Sequence, residues 1–450
     1  MEVFVLERHL ERIAMDRRRF LKTGVLAATA ATVLPKFSFG QSVGGNTIRV
    51  GACGLGVRGT DAVLEALHAD GDVKIVALAD FFQDKMDIAC EKYAADFLGD
   101  KKDRFDVPKN KRFVGQNALE DMLANGDIDA VLLNTPPVFR ASEIKKCLDA
   151  GKHVFAEKPL CVDPTQARYI ENELMALAKS KGLCMACGTQ CRHLPNMIEA
   201  IERVRDGHIG DIVSSTCSFT CCGFLEGWTM PKNPDPMTVE YQIRRWLSFI
   251  WTSGDHYVEQ HIHSIDVALW AMGDPSPKTA YGVGGRDVYL RYPEQGDRYS
   301  NFSVEYDFGD DVSMSSISRQ ENGATRLSTN LATIRGTKGT LNLCLSGDPQ
   351  KITGEKPWQS KPAHDVNPQV LKQRWLYKAM REGKAGNNLA PLINSNFAAI
   401  LGREATYSGK RLQWSWIKNS KQNLFPENKI DLTSTRPISP IPSPATYKLS

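Results

Sequence analysis

Three places in the 450-residue chain put reactive side chains at spacings that chemistry uses. In His153 to Cys161, apolar Val154-Phe155-Ala156 runs into Glu157, Lys158 and Pro159. A parallel sheet brings polar groups out at the carboxyl ends of its strands, where ligands of open α/β sheets sit. Glu157 and Lys158 are therefore candidates for ligand contact, although an exposed ion pair reads the same way. Farther on, Glu259, His263 and Asp266 stand at i, i+4 and i+7. On one helix they share a face, where an acid orients an imidazole whose other nitrogen exchanges a proton with a substrate hydroxyl. The plainer reading is a hydrogen-bonded core histidine. A metal site from His261 and His263 is disfavoured, since residues two apart on a helix point apart. The third place, Gly51 to Gly59, is a strand turning into a helix through glycines. Gly54, Leu55, Gly56, Arg58 and Gly59 fall where backbone approaches a pyrophosphate at a helix N-terminus.

The elements around these residues alternate. The glycine loop is followed by a helix over 57–69 and a strand over 73–79 that ends in Asp80, 21 residues after Gly59. An acid there hydrogen-bonds a ribose 2′-hydroxyl and repels a 2′-phosphate, which favours NAD over NADP. Helices are expected over 83–97, 119–124, 142–150 and 164–179, with buried strands over 130–133, 153–156 and 183–187. Asn134-Thr135-Pro136, Glu157-Lys158 and Gln190 then leave the sheet on the edge that carries the glycine loop, as candidate cofactor contacts. The expected fold is α/β: a doubly wound parallel Rossmann sheet over 46–190, then an α+β domain over 191–425. Its strands, from Ile212-Val213 to Leu343-Cys344, are separated by turn residues such as Gly309-Asp310-Asp311 and predict a mostly antiparallel open-faced sheet. Residues 426–450 are expected to form an extended C-terminal tail, of which Arg436 to Ser450, rich in Pro and Ser, reads as a strap over the surface.

Charge and composition exclude some classes. With 56 basic against 52 acidic residues, scattered and not clustered, the chain has no nucleic-acid footprint. Arg17-Arg18-Arg19-Phe20-Leu21-Lys22 precedes a mild Ala-rich apolar run, the pattern of a Tat export signal over residues 1–41 with an upstream leader. That run is too short to span a bilayer. Export predicts a periplasmic protein that folds in a reducing cytoplasm, with Tat machinery as a partner and NAD bound tightly before transport. The 11 cysteines, including Cys184, Cys187, Cys191, Cys217, Cys221 and Cys222, accordingly read as small apolar fillers, with no metal expected.

The glycine loop, Asn134-Thr135-Pro136, Ala156-Glu157-Lys158-Pro159, the histidine segment and Ile400 to Ala405 together resemble the glucose–fructose oxidoreductase, inositol dehydrogenase and rhizopine-catabolism (Gfo/Idh/MocA) family. The resemblance implies a nicotinamide domain joined to an open-faced domain that forms homo-oligomers, dimers or tetramers, through its sheet. It also implies that Lys158 touches both cofactor ribose and substrate hydroxyl, with His263 as base. Glu259 stands where such dehydrogenases carry Asp, and Arg140 lies in a stretch where many carry a histidine. Arg192, Arg244, Trp246 and Asp266 are candidate substrate contacts; salt bridges or core packing suit the first three equally. The implied activity is NAD-dependent oxidation of a secondary hydroxyl of a sugar, glycoside or cyclic polyol. The alternatives are an NAD-dependent glycoside hydrolase working through transient oxidation and a non-catalytic sugar-binding protein that retains a nucleotide.

Overall fold

The computed structural model describes residues 47–450 apart from 222–234, 289, 291, 322–329, 346 and 428. The proposed export signal, Cys222 and the start of the strand expected over 327–334 lie outside these residues.

The first sheet is parallel throughout, in the order β3-β2-β1-β4-β5-β6-β15. Its strands are β1 (Ile48–Cys53), β2 (Val73–Asp80), β3 (Arg112–Val114), β4 (Ala130–Leu133), β5 (His153–Ala156), β6 (Cys184–Cys187) and β15 (Gly386–Asn387). Helices cover both faces, which is why β4, reading AVLL, is buried at every position. The helix Val57–Ala69 lays Val63, Ala66 and Leu67 on the sheet.

The second sheet holds nine strands. These are β7 (Ile212–Cys221), β8 (Thr279–Gly285), β9 (Asn301–Gly309), β10 (Val312–Gln320), β11 (Asn330–Gly336), β12 (Gly339–Cys344), β13 (Lys351–Gly354), β14 (Trp358–Gln359) and β16 (Leu412–Gln413). They run in the order β14-β13-β12-β11-β7-β10-β9-β8-β16, and every pairing is antiparallel except β7 with β10. Along β9, Phe302, Val304, Tyr306 and Phe308 point into the core while Ser303, Glu305 and Asp307 face out. The helices Ile262–Ala271 and Ala390–Ser408 cover the inner face. Residues 436–450 form the expected strap, tied down where Tyr299 Oη donates to Pro442 O at 2.8 Å and Tyr447 Oη to Glu404 Oε2 at 2.7 Å.

Three expectations need correction. The helix from Gln83 stops at Ala94, three residues short of the expected end at 97, and a 3₁₀ stretch over Asp96–Arg104 kinked at Gly99 follows it. The short edge strand β3, too brief to show alternation, had no signal in the sequence. The division at residue 190 also fails for one stretch: the helix Pro368–Arg381 and β15 return to the first sheet, packing on the helix Val57–Ala69 and on β6. Composition does not reveal such a return, because a helix that crosses back buries the same apolar stripe as one that stays.

Candidate functional site

The glycine loop is shaped by close approach. Gly54 has φ +84°, and a Cβ there would lie 2.7 Å from Thr135 N; one on Gly59 would lie 1.8 Å from Gly54 O. Gly56, by contrast, faces open space. The helix that follows has no side-chain cap and no acid in its first turn, so its positive end is unneutralised. Beside it, both amide atoms of Asn134 are buried without a hydrogen-bond partner. A bare helix end, a side-chain-free cradle and orphaned amide groups together fit a dinucleotide, with Gly54, Leu55, Gly56, Arg58, Gly59 and Asn134 to hold it. Asp80 accepts from Leu55 N at 2.6 Å and Phe82 N at 2.9 Å, and burial raises its pKa. It therefore braces the loop at the place where a ribose would meet it.

Thr135 Oγ1 donates to buried Glu143, whose carboxyl is pushed up to about 7 by burial. Arg140 donates to Pro159 O and, at 2.7 Å, to Thr135 O. It thereby staples the β4 and β5 exits together, a role its sequence position did not announce.

Glu157 is 3% exposed. Burial alone would raise its pKa, but Lys372 Nζ at 2.5 Å and Arg58 Nε at 3.1 Å hold it well below the carboxylate range. Lys158 points the other way, donating to Glu259 Oε1 at 2.6 Å and to Glu259 O at 2.7 Å. His263 is stacked on Phe219 with ring centroids 6.4 Å apart, and its Nδ1 is buried without a partner. Burial, then the cations Lys158 and Lys372, keep this imidazole neutral by holding its pKa well below the usual value.

The shared face of Glu259, His263 and Asp266 is not formed. Glu259 ends one helix, Asp255–Glu259, and His263 belongs to the next, Ile262–Ala271; at the break His261 N bonds back to His256 O, five residues away. Glu259 therefore turns to Lys158. Asp266 is fully buried, accepting from Arg192 Nη2 at 2.8 Å and from Ser395 Oγ at 2.8 Å. Its oxygens are already taken by Arg192 and Ser395, so in this fold it acts as a buried structural carboxylate and not as the open substrate contact expected. Arg192 is likewise committed, spanning Asp266 and Asp274 (Nη2–Oδ1 2.6 Å).

Arg244 is also misplaced for a substrate. It forks onto Asp84 at 3.0 Å and lies 3.8 Å over the Phe82 ring, just beyond the β2 exit. That exit is three strand spacings from β5, roughly 14 Å. Trp246 sits in a 3₁₀ turn with its carbonyl accepting from Thr252 Oγ1 at 2.6 Å and its side chain partly exposed. Gln190 accepts from Gln369 Nε2 at 3.1 Å.

The structure thus brings Lys158, Glu259, His263 and Glu157 together beside the nucleotide cradle, and leaves Asp266, Arg192 and Arg244 in structural pairs. Sequence reading missed Lys372. Its signal was a lysine four residues before Leu376 on the apolar stripe of its helix. Cys184, Cys187, Cys191 and Cys217 are buried, and burial raises their thiol pKa values.

Comparison with known proteins agrees with this cradle. The dTDP-3,4-didehydro-2,6-dideoxy-alpha-D-glucose 3-reductase of Actinomadura kijaniata is 30% identical over 175 residues, 39% of this chain and 46% of that one. An alpha-N-acetylgalactosaminidase of Shewanella oneidensis is 32% identical over 224 residues, 46% of each chain. The chain thus spans about half the length of the curated relatives it matches. The crystal structure of aldose-aldose oxidoreductase from Caulobacter crescentus complexed with glycerol shares the fold, with TM-score 0.61 and 19% identity over 82% of this chain and 100% of that one. Residues 48–189 match the family described as "Oxidoreductase family, NAD-binding Rossmann fold" (GFO_IDH_MocA). With its glycine cradle and its β5 exit in place, residues 48–189 are similar to the NAD-binding Rossmann domain of the Gfo/Idh/MocA oxidoreductase family.

Proposed function

We propose that the protein is an NAD-dependent oxidoreductase acting on a secondary hydroxyl of a sugar, glycoside or cyclic polyol. The observation that carries this reading is Lys158, held by Glu259 at 2.6 Å and close enough to His263 to depress its pKa. Bound NAD supplies the acceptor for the hydride. An ammonium has three N–H donors, and Glu259 takes two through its carboxylate and its carbonyl, leaving one for a substrate oxygen. Neutral His263 accepts the hydroxyl proton and passes it to solvent, while the Lys158 charge favours the alkoxide that loses hydride. Glu157 and Asn134 line the cofactor side. Direct proton transfer of this kind contributes about 10²–10⁴-fold.

A second reading is an NAD-dependent glycoside hydrolase, in which transient oxidation acidifies the neighbouring C–H and the leaving group is eliminated before the redox state is restored. It is favoured by the alpha-N-acetylgalactosaminidase and the glycosyl hydrolase family 109 proteins among the relatives. One assay separates the two: the purified protein is given a panel of aryl glycosides and free sugars, and reduced nicotinamide and released aglycone are followed together. Nicotinamide reduction in step with sugar consumption is expected. Aglycone released with no net reduction would replace the dehydrogenase with the hydrolase.

Residues 1–41 support Tat export to the periplasm, with NAD retained through transport. The outward face of the second sheet supports a homo-oligomer, since Tyr281, Val283 and Ile317 are 40%, 57% and 50% exposed on it. Mass spectrometry of the nucleotide in protein drawn from the periplasm, and light scattering of the purified protein, test these two readings. Nucleotide-free protein counts against the first, and a monomer at micromolar concentration against the second.

A further inference from the structure

Burying a carboxylate costs several kcal/mol unless cations meet it. Glu157 is met by two, from distant parts of the chain. Arg58, in the first turn after the glycine loop, reaches it at 3.1 Å and also donates to Glu65 Oε1 at 2.8 Å. Lys372, from the returning helix Pro368–Arg381, reaches it at 2.5 Å. Glu65, Arg58, Glu157 and Lys372 form a neutral quartet beneath the nucleotide cradle.

Lys372 is 1% exposed. Its Nζ would lie 2.8 Å from a Cβ on Gly188, just past β6, and 5.3 Å from the centre of the Phe155 ring in β5. Three residues earlier, Gln369 bonds to Gln190, and its Oε1 is buried without a partner. One helix thus supports both the β5 and the β6 exits. Simple docking does not require this, because the same helix is anchored elsewhere. Gln373 Nε2 donates to Ala62 O at 3.0 Å, Arg374 Nε to Ala69 O at 3.2 Å, and Arg381 forks onto Asp70 at 2.8 and 2.7 Å. Those bonds avoid the loop. Lys372 alone meets the carboxylate that also bonds Arg58 and, at 3.3 Å, the backbone amide of Lys158.

We propose that Lys372 is a positioning residue of the nucleotide site: it fixes the Glu157 carboxylate between the glycine-loop helix and the β5 exit, so that NAD binding depends on this ion pair and not on the other bonds that dock the Pro368–Arg381 helix. This rests on the NAD-binding reading but requires no turnover. The experiment titrates NAD into the full chain by calorimetry, for the wild type, K372M, K372R and R381A. K372M is expected to weaken binding by about tenfold or more, and K372R by a few-fold. R381A is expected to lower the unfolding temperature while holding NAD within roughly twofold of wild type. Amide hydrogen exchange over 368–381 should slow on NAD addition in the wild type and not in K372M. If K372M fails to fold, K372R carries the same comparison. Wild-type affinity in K372M or K372R overturns the proposal, as does R381A weakening NAD as much as K372M. Wild-type protein that binds no NAD overturns the cofactor reading and this inference with it, whereas failure of the variants alone leaves the cofactor reading standing.

Discussion

The exit of β5 and the segment Asp255–Asp266 each carry acids beside a base, and they orient them by different means. At the β5 exit Glu157 and Lys158 are neighbours leaving a strand, so they diverge: one goes down into Arg58 and Lys372, the other across to Glu259. In the second segment three histidines fall within eight residues, and tertiary partners sort them. His256 Nδ1 meets Asp255 at 2.9 Å and His261 Nε2 meets Ser316 at 2.6 Å, whereas His263 stacks on Phe219 and stays partly exposed. A strand exit fixes direction from adjacent residues alone. Helical spacing fixes a face only while the helix runs unbroken, and here it breaks at Gln260-His261.

The largest expected effect tests whether the two regions make one site. Lys158→Ala and His263→Ala should each lower kcat by about 10²–10⁴-fold while NAD affinity stays within a few-fold. Wild-type rates in either variant would remove that residue from the chemistry. Asp266→Ala should behave in the opposite way, because it removes one of the two carboxylates that hold Arg192 and leaves Ser395 without its acceptor. A loss of about 1–3 kcal/mol in urea unfolding is expected, and wild-type stability would show that the pair is dispensable. Glu259→Gln should fall between them. It keeps the shape and the backbone carbonyl that holds Lys158, so a kcat loss of about tenfold with little change in stability is expected; a stability loss matching that of Asp266→Ala would erase the distinction between the two acids.

What could be read in advance follows the same division. The first sheet was legible because its strands are short apolar runs ending in Gly, Pro or a polar pair, and β4 and β5 lie where those runs placed them. The second sheet was legible from turn residues, with Gly309, Asp310 and Asp311 taking the positive φ a tight hairpin needs. The partners were not legible. Nothing near Lys372 announces Glu157, 215 residues away, and nothing near Asp266 announces Arg192, 74 away. Arg140, noted as a departure from pattern, turned out to bond two backbone carbonyls, and only the folded positions of Thr135 and Pro159 reveal that.

The smallest effect separates a structural histidine from the proposed base by pH. His153 opens β5 at the end opposite to Lys158, and its Nδ1 accepts from Cys184 N at 3.0 Å, linking β5 to β6. Burial lowers its pKa to about 4. The unfolded chain takes up that proton near pH 6.5 and the folded chain only near 4, so below 6.5 the unfolded state binds more protons. Its contribution to stability is complete above pH 6.5 and declines as pH falls toward 4. His153→Asn, which can offer the same acceptor without titrating, should make the slope of unfolding free energy shallower over that window by about one proton. Urea unfolding at several pH values reads it directly, and an unchanged slope would mean that His153 already titrates normally. His263→Gln should flatten the same slope, since its pKa is also depressed by burial and by two cations, yet of the two histidine variants it alone should lower kcat, by about 10²–10⁴-fold. Both histidines resist protonation in the folded chain, and the proposed base is the one beside Lys158.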